Sequence, residues 1–146
     1  MKKKIILILG SIFILLQFIP INRNNPSVEA DLQAPENVKT VLRKSCYDCH
    51  SNETRYPLYS YIFPASVFLA HHVEEGREEL NFSNWEALSN SKKAKKSEDI
   101  VEVLEKKEMP LISYTIIHRD AVLTSEESEL LIKWAKAIQI KNDTGE

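Results

Sequence analysis

Cys46-Tyr47-Asp48-Cys49-His50 is the stretch on which the rest of this chain turns. Cysteines three apart on a helical turn point to the same side, and a histidine follows directly. Two thiols at this spacing reach the two vinyl groups of a haem and form thioethers, while the adjacent histidine binds the iron from one axial side. A thioredoxin-like dithiol shares the Cys-x-x-Cys spacing but belongs at the end of a strand in a βαβ unit. Here an amphipathic helix precedes it and no βαβ pattern follows. A zinc site takes four ligands, typically from two separated pairs, and the adjacent His71 and His72 make an awkward second pair. A local disulfide would leave His50 without a role. The expectation is one covalently attached haem c, with Cys46 and Cys49 as the thioethers and His50 as the proximal iron ligand.

Outward from that motif the periodicity is helical. Val38, Val41 and Leu42 recur at helical spacing, which predicts an amphipathic helix over Glu36 to Ser45 running into Cys46. Pro64 opens a second helix that carries Phe68, Leu69, His72 and Val73 to about Leu80. Ser83 with Glu86 reads as an N-cap and its acidic partner, giving a short helix to Leu88. Ile100, Val101, Val103 and Leu104 mark a further helix stopped by Pro110, with Lys92, Lys93, Lys95 and Lys96 as an exposed helix start. Thr124 and Glu127 form a capping box ahead of the stripe Leu130, Leu131, Trp134, Ile138. The expected class is all-α, a small cytochrome c-like helical domain over residues 36–141 wrapped around its haem. The apolar core is thin for the length, and an apolar macrocycle supplies the missing volume.

The first residues read as an address. Lys2, Lys3 and Lys4 precede an apolar run from Ile5 to Ile19, the layout of a secretory signal. The lysines stay on the cytoplasmic side and place the rest of the chain across the membrane. Val28-Glu29-Ala30 has small residues at cleavage spacing but lies far beyond the apolar run, so an uncleaved signal anchor over residues 1–21 is favoured over a cleaved peptide. A helix from Ile5 to about Ile21 would approach the lower limit of roughly 17 residues for spanning a bilayer. Residues 22–35, with two prolines and little apolar content, read as a tether. The composition, 43% hydrophobic and 27% charged over 146 residues, excludes a disordered chain. Residues 1–30 carry four basic residues and one acid, and the remainder is net acidic, which excludes a nucleic-acid footprint.

A six-coordinate haem needs a distal ligand, usually Met or His. Met1 lies in the address, so Met109, in Lys107-Glu108-Met109-Pro110, is the expected distal ligand. His72, one turn after Phe68, is the alternative, with His118 a further rival. A methionine at Met109 can equally be simple core filling. Arg55 and Arg77 are candidate partners for the haem propionates. Tyr56, Tyr59, Tyr61, Phe63, Phe68, Trp85 and Trp134 are candidates for core or haem packing.

The run from Cys46 through Ser51-Asn52-Glu53-Thr54-Arg55-Tyr56-Pro57-Leu58-Tyr59 resembles the haem-binding domain family of small exported c-type cytochromes of Bacteroidetes-type bacteria. His72-Val73, Gly76-Arg77, Leu80-Asn81-Phe82-Ser83 to Trp85, Met109-Pro110 with Tyr114 and His118, and Leu123 to Glu127 extend the likeness over about residues 36–138. The resemblance implies haem on Cys46 and Cys49, His50 as proximal ligand and Met109 at the distal position. Leu58 stands where a tryptophan is expected, and the glycine-rich loops of mitochondrial-type cytochromes are missing. The functional expectation is a periplasmic electron carrier, not an enzyme, tethered to the inner membrane and serving a redox partner protein. A haem-based gas or peroxide sensor with an open distal site is the first alternative, and an exported thiol–disulfide protein the second.

Overall fold

The computed structural model describes residues 1–144, with side chains to residue 140. Every regular element among them is helical. Helix α1 spans Lys2–Leu16, α2 Glu36–Ser45, α3 Tyr47–His50 and α4 Ala65–Glu79. Helix α5 spans Asn90–Glu105, α6 Ile112–Thr115 and α7 Ser125–Thr144. Three 3-10 turns, Leu58–Tyr61, Phe82–Ala87 and Arg119–Ala121, join them.

The core forms where α5 packs along α7 and α2 packs against α7. Helix α2 contributes Val38, Val41, Leu42 and Ser45, one stripe at helical spacing, while Arg43 and Lys44 sit in its last turn, favourably placed at the negative end of the helix dipole. Tyr47 stacks on Phe82 with ring centroids 5.3 Å apart, and Phe82, Trp85 and Trp134 continue the aromatic line to α7. Tyr61 and Phe68 stand outside this core, more than half exposed.

The helix ends show where local chemistry wins. The capping box opens α7 as expected: the Thr124 amide donates to Glu127 Oε2 at 2.9 Å and the Glu127 amide to Thr124 Oγ1 at 3.2 Å. Helix α5 stops before Pro110 is reached. Lys107 adopts a left-handed backbone (φ 57°). Its amide donates to the Leu104 carbonyl, and the Glu108 amide donates to the Val103 carbonyl. This is the paired bonding of a Schellman cap, which reverses the chain and returns Met109 to the domain. Residues 82–87 form a 3-10 turn instead of the expected α-helix. Asn81, not Ser83, accepts its first amide, and Glu86 bonds the Gln33 amide instead of closing a capping box.

The N-terminal segments differ most from expectation. Helix α1 ends at Leu16 and has no buried residue. The residue before a proline is disfavoured in helix, and ahead of Pro20 the Gln17 amide folds back on the Phe13 carbonyl while its Oε1 accepts the Phe63 amide. At 15 residues, α1 is about 22 Å long, against roughly 30 Å of hydrocarbon. Among the described residues, no helix is long and apolar enough to cross a membrane. The segment expected to be a tether is strapped to the domain. Arg23 Nε donates to the Ser60 carbonyl, Asn25 Nδ2 to the Thr54 carbonyl, and the Ala30 and Leu32 amides to Ser83 and Phe82. Leu32 is fully buried, so the packed core begins ahead of Glu36.

Candidate functional site

Between α3, α4 and the Met109 loop lies a cavity of about 470 Å³, bounded by Cys46, Cys49, His50, His72, Met109 and Tyr114 among others. A second cavity of about 260 Å³ runs inward towards Ile100, Leu104 and Leu131. Ser45, Cys46, His50, Glu79, Met109 and Pro110 border both. Together they have the size and mixed apolar–polar lining of a cofactor site.

Cys46 breaks the helix between α2 and α3, with φ −127°. Its carbonyl then accepts the amides of Cys49 and His50, at 3.2 and 2.9 Å, which winds the motif into a single turn. Both thiols are free. Burial pushes Cys46 up to about 12, with neighbouring Cys49 adding to the rise. Burial also pushes Cys49 up to about 11, with Asp48 adding to it. Such thiols are poor thiolate nucleophiles.

His50 is oriented by backbone. Its Nδ1 lies 2.7 Å from the Gly76 carbonyl oxygen and 3.1 Å from that of Leu80. A carbonyl only accepts, so Nδ1 carries the hydrogen and Nε2 keeps its lone pair. That is the arrangement that fixes the tautomer of a metal-ligating histidine. Burial lowers the imidazole pKa, which favours the neutral, ligating form, while the Gly76 and Leu80 carbonyls pull it upward.

Gly76 makes this contact possible. A Cβ at this position would lie 2.7 Å from the Cys49 carbonyl oxygen and 3.1 Å from Cys49 Cβ. Only glycine lets α4 approach the motif so closely. A glycine inside a helical pattern was the available sequence signal for this contact.

One buried atom is left without a partner at the seam of the two cavities. Ser45 is 6% exposed and its Oγ makes no hydrogen bond. Ser60 and Ser97 carry buried hydroxyls of the same kind away from the cavities, so this atom does not single out the site. Two thiols and an imidazole with a free Nε2, all bordering the larger cavity, fit a haem.

The family comparison bears on the same residues. The chain matches the model of a haem-binding domain over residues 11–137. This chain belongs to the haem-binding domain family. The matched region contains the whole site. Comparisons with curated proteins and with solved structures each find no match.

Within this haem-binding domain, the other expected residues fall into two groups. Met109 and His72 both border the larger cavity, and Met109 alone of the two reaches the smaller one. His72 packs edge-on against Phe68, with ring centroids 4.2 Å apart. His118 is engaged elsewhere: its Nε2 lies 2.7 Å from the Tyr59 hydroxyl, and its ring stacks on Tyr114.

Arg55 and Arg77 do not border either cavity. Arg55 is exposed. The Arg77 guanidinium donates to the Ser51 carbonyl at 2.8 Å, to Asn25 Oδ1 at 2.7 Å and to Thr54 Oγ1 at 2.8 Å. Arg77 therefore ties the N-terminal strap to the motif turn. The sequence reading gave no role to Ser45, Gly76 or the Leu80 carbonyl. Gly76 and Leu80 reach the motif because α4 meets α3, a contact between residues far apart in the chain.

Proposed function

We propose that this haem-binding domain is an exported c-type cytochrome that carries single electrons through one haem. In this reading Cys46 and Cys49 form the thioethers, His50 holds the iron on the proximal side and Met109 supplies the distal thioether. The observation that carries it is the His50 ring. Its Nδ1 is committed to backbone carbonyls, leaving Nε2 free beside a cavity that both cysteines and Met109 border.

When bound, the haem supplies a ferric–ferrous couple. The chain's own residues do the rest. Gly76 and Leu80 hold the His50 ring in one orientation, which limits reorganisation between redox states. Ile100, Leu104 and Leu131 border the inner cavity and exclude water, which disfavours the additional charge of the ferric state. A methionine on the distal side favours the softer ferrous iron and raises the potential relative to a bis-histidine site. The raised thiols weigh against thiol–disulfide exchange, which needs a lowered cysteine pKa.

The cationic start and apolar α1 support export, with function at the periplasmic face and a redox protein as partner. The test is expression with a cytochrome c maturation system, followed by haem staining of a denaturing gel. Covalent haem survives the gel. In the matured protein, Met109→Ala should remove the weak sulfur-to-iron band in the red and open the iron to carbon monoxide. An unchanged spectrum in that variant would favour the sensor alternative.

A further inference from the structure

A haem carries two propionate carboxylates, and neither arginine suggested by the sequence borders the cavity. Along the larger cavity the ionisable carboxyl side chains are Glu75, Glu78 and Glu79, with no lysine or arginine among the bordering residues. Propionates directed there would add negative charge to an acidic rim. Along the smaller cavity Lys96 stands with Glu79 and Asp99. Among the described residues, Lys96 is thus the single lysine or arginine bordering either cavity.

The pairing around it leaves donors free. Lys96 Nζ is 3.7 Å from Glu79 Oε2, longer than a hydrogen bond, and the Glu79 side chain is 82% exposed. Asp99 is paired with Lys95 at 3.2 Å. An ammonium has three donors and no acceptor, and here no short bond uses one. The Lys96 side chain is 32% exposed and borders the smaller cavity.

We propose that Lys96 receives the haem propionates and so fixes which way round the macrocycle sits. This assignment rests on the haem reading above, and the two fail in different ways. Wild-type, Lys96→Gln, Lys96→Arg and, as control, Lys92→Gln proteins are matured with haem and assayed for haem content by the pyridine haemochrome method. A wild type without haem would end the haem reading itself. With haem present, Lys96→Gln should shift the propionate bending band in the resonance Raman spectrum. It should also lower the potential, because uncompensated carboxylates favour ferric iron, changing the reduced-to-oxidised ratio at a fixed mediator poise several-fold. Lys96→Arg should restore both, and Lys92→Gln, at an exposed lysine bordering neither cavity, should leave both at wild-type values. If Lys96→Gln loads no haem, rescue of loading by Lys96→Arg supports the assignment, and failure of that rescue counts against it. A loaded Lys96→Gln protein with the wild-type band and potential would overturn it.

Discussion

The Tyr114 hydroxyl donates to Asp48 Oδ2 at 2.7 Å, joining the helix that follows Met109 to the middle of the Cys-x-x-Cys-His turn. Asp48 is held in turn by the Arg55 amide, at 3.1 Å to its other oxygen. Tyr114 also stacks on His118, whose Nε2 meets the Tyr59 hydroxyl. Burial and this bond raise the Tyr114 pKa well above its ordinary value. The phenol therefore stays protonated and keeps donating throughout the working pH range. Two ends of the site that are distant in sequence are thus fastened by one side-chain bond.

Tyr114→Phe removes that fastening and little else. A hydrogen bond to a charged group contributes about 2 kcal/mol, so thermal unfolding should show a loss of that order. In the matured protein the variant should bind added imidazole more tightly than wild type, because the Met109 loop is less firmly held. Titration followed in the Soret region checks it; unchanged imidazole affinity would show that the bond does not restrain the loop.

Gly76→Ala should be severe for its size. The added methyl meets backbone, the Cys49 carbonyl at 2.7 Å, so α4 or the motif must shift. Overpacking of this kind costs about 1–3 kcal/mol, and the shift would also disturb the His50 bond to the Gly76 carbonyl. The expected result is reduced haem per chain after maturation, measured by haemochrome assay against total protein.

Lys107→Gly should stabilise the protein. Lys107 holds a left-handed backbone at φ 57°, which costs an L-residue roughly 1–2 kcal/mol and glycine little. Part of that gain is offset by the greater freedom of glycine in the unfolded chain. A raised midpoint in chemical denaturation, with an unchanged slope, is the predicted result.

How much of this was legible in the sequence depended on how local each determinant is. The motif turn, the Pro64 start of α4 and the Thr124–Glu127 capping box are set by residues a few positions apart, and their patterns could be read directly. The α5 stop was misplaced because Pro110 is a conspicuous breaker, whereas a lysine at the left-handed cap position carries no signal. Residues 22–35 looked like a solvated tether because their composition is polar and proline-rich. Their partners Ser60, Thr54, Ser83 and Phe82 lie far along the chain. The same limit applied to Arg77, whose bonds reach Ser51, Asn25 and Thr54.

The acid limb of stability should depend on Glu127. Its carboxylate accepts from Lys44 Nζ and from the Thr124 amide, and these bonds hold its pKa below the usual carboxylate range. A lowered folded-state pKa means the stabilisation is fully present above the unfolded value, roughly 4.3. It is then lost as pH falls through the folded value. Glu127→Gln should therefore be less stable than wild type near neutral pH, with the difference shrinking below about pH 4. Melting temperatures measured across pH 3–7 would test this; parallel curves would contradict it.

The most direct measurement of the central claim is the intact mass of the exported, matured chain. The account predicts the mass of the polypeptide plus one haem, with the haem lost when Cys46 and Cys49 are both replaced by alanine. A colourless product at the bare polypeptide mass, from a maturation system shown to load a control cytochrome, would contradict it.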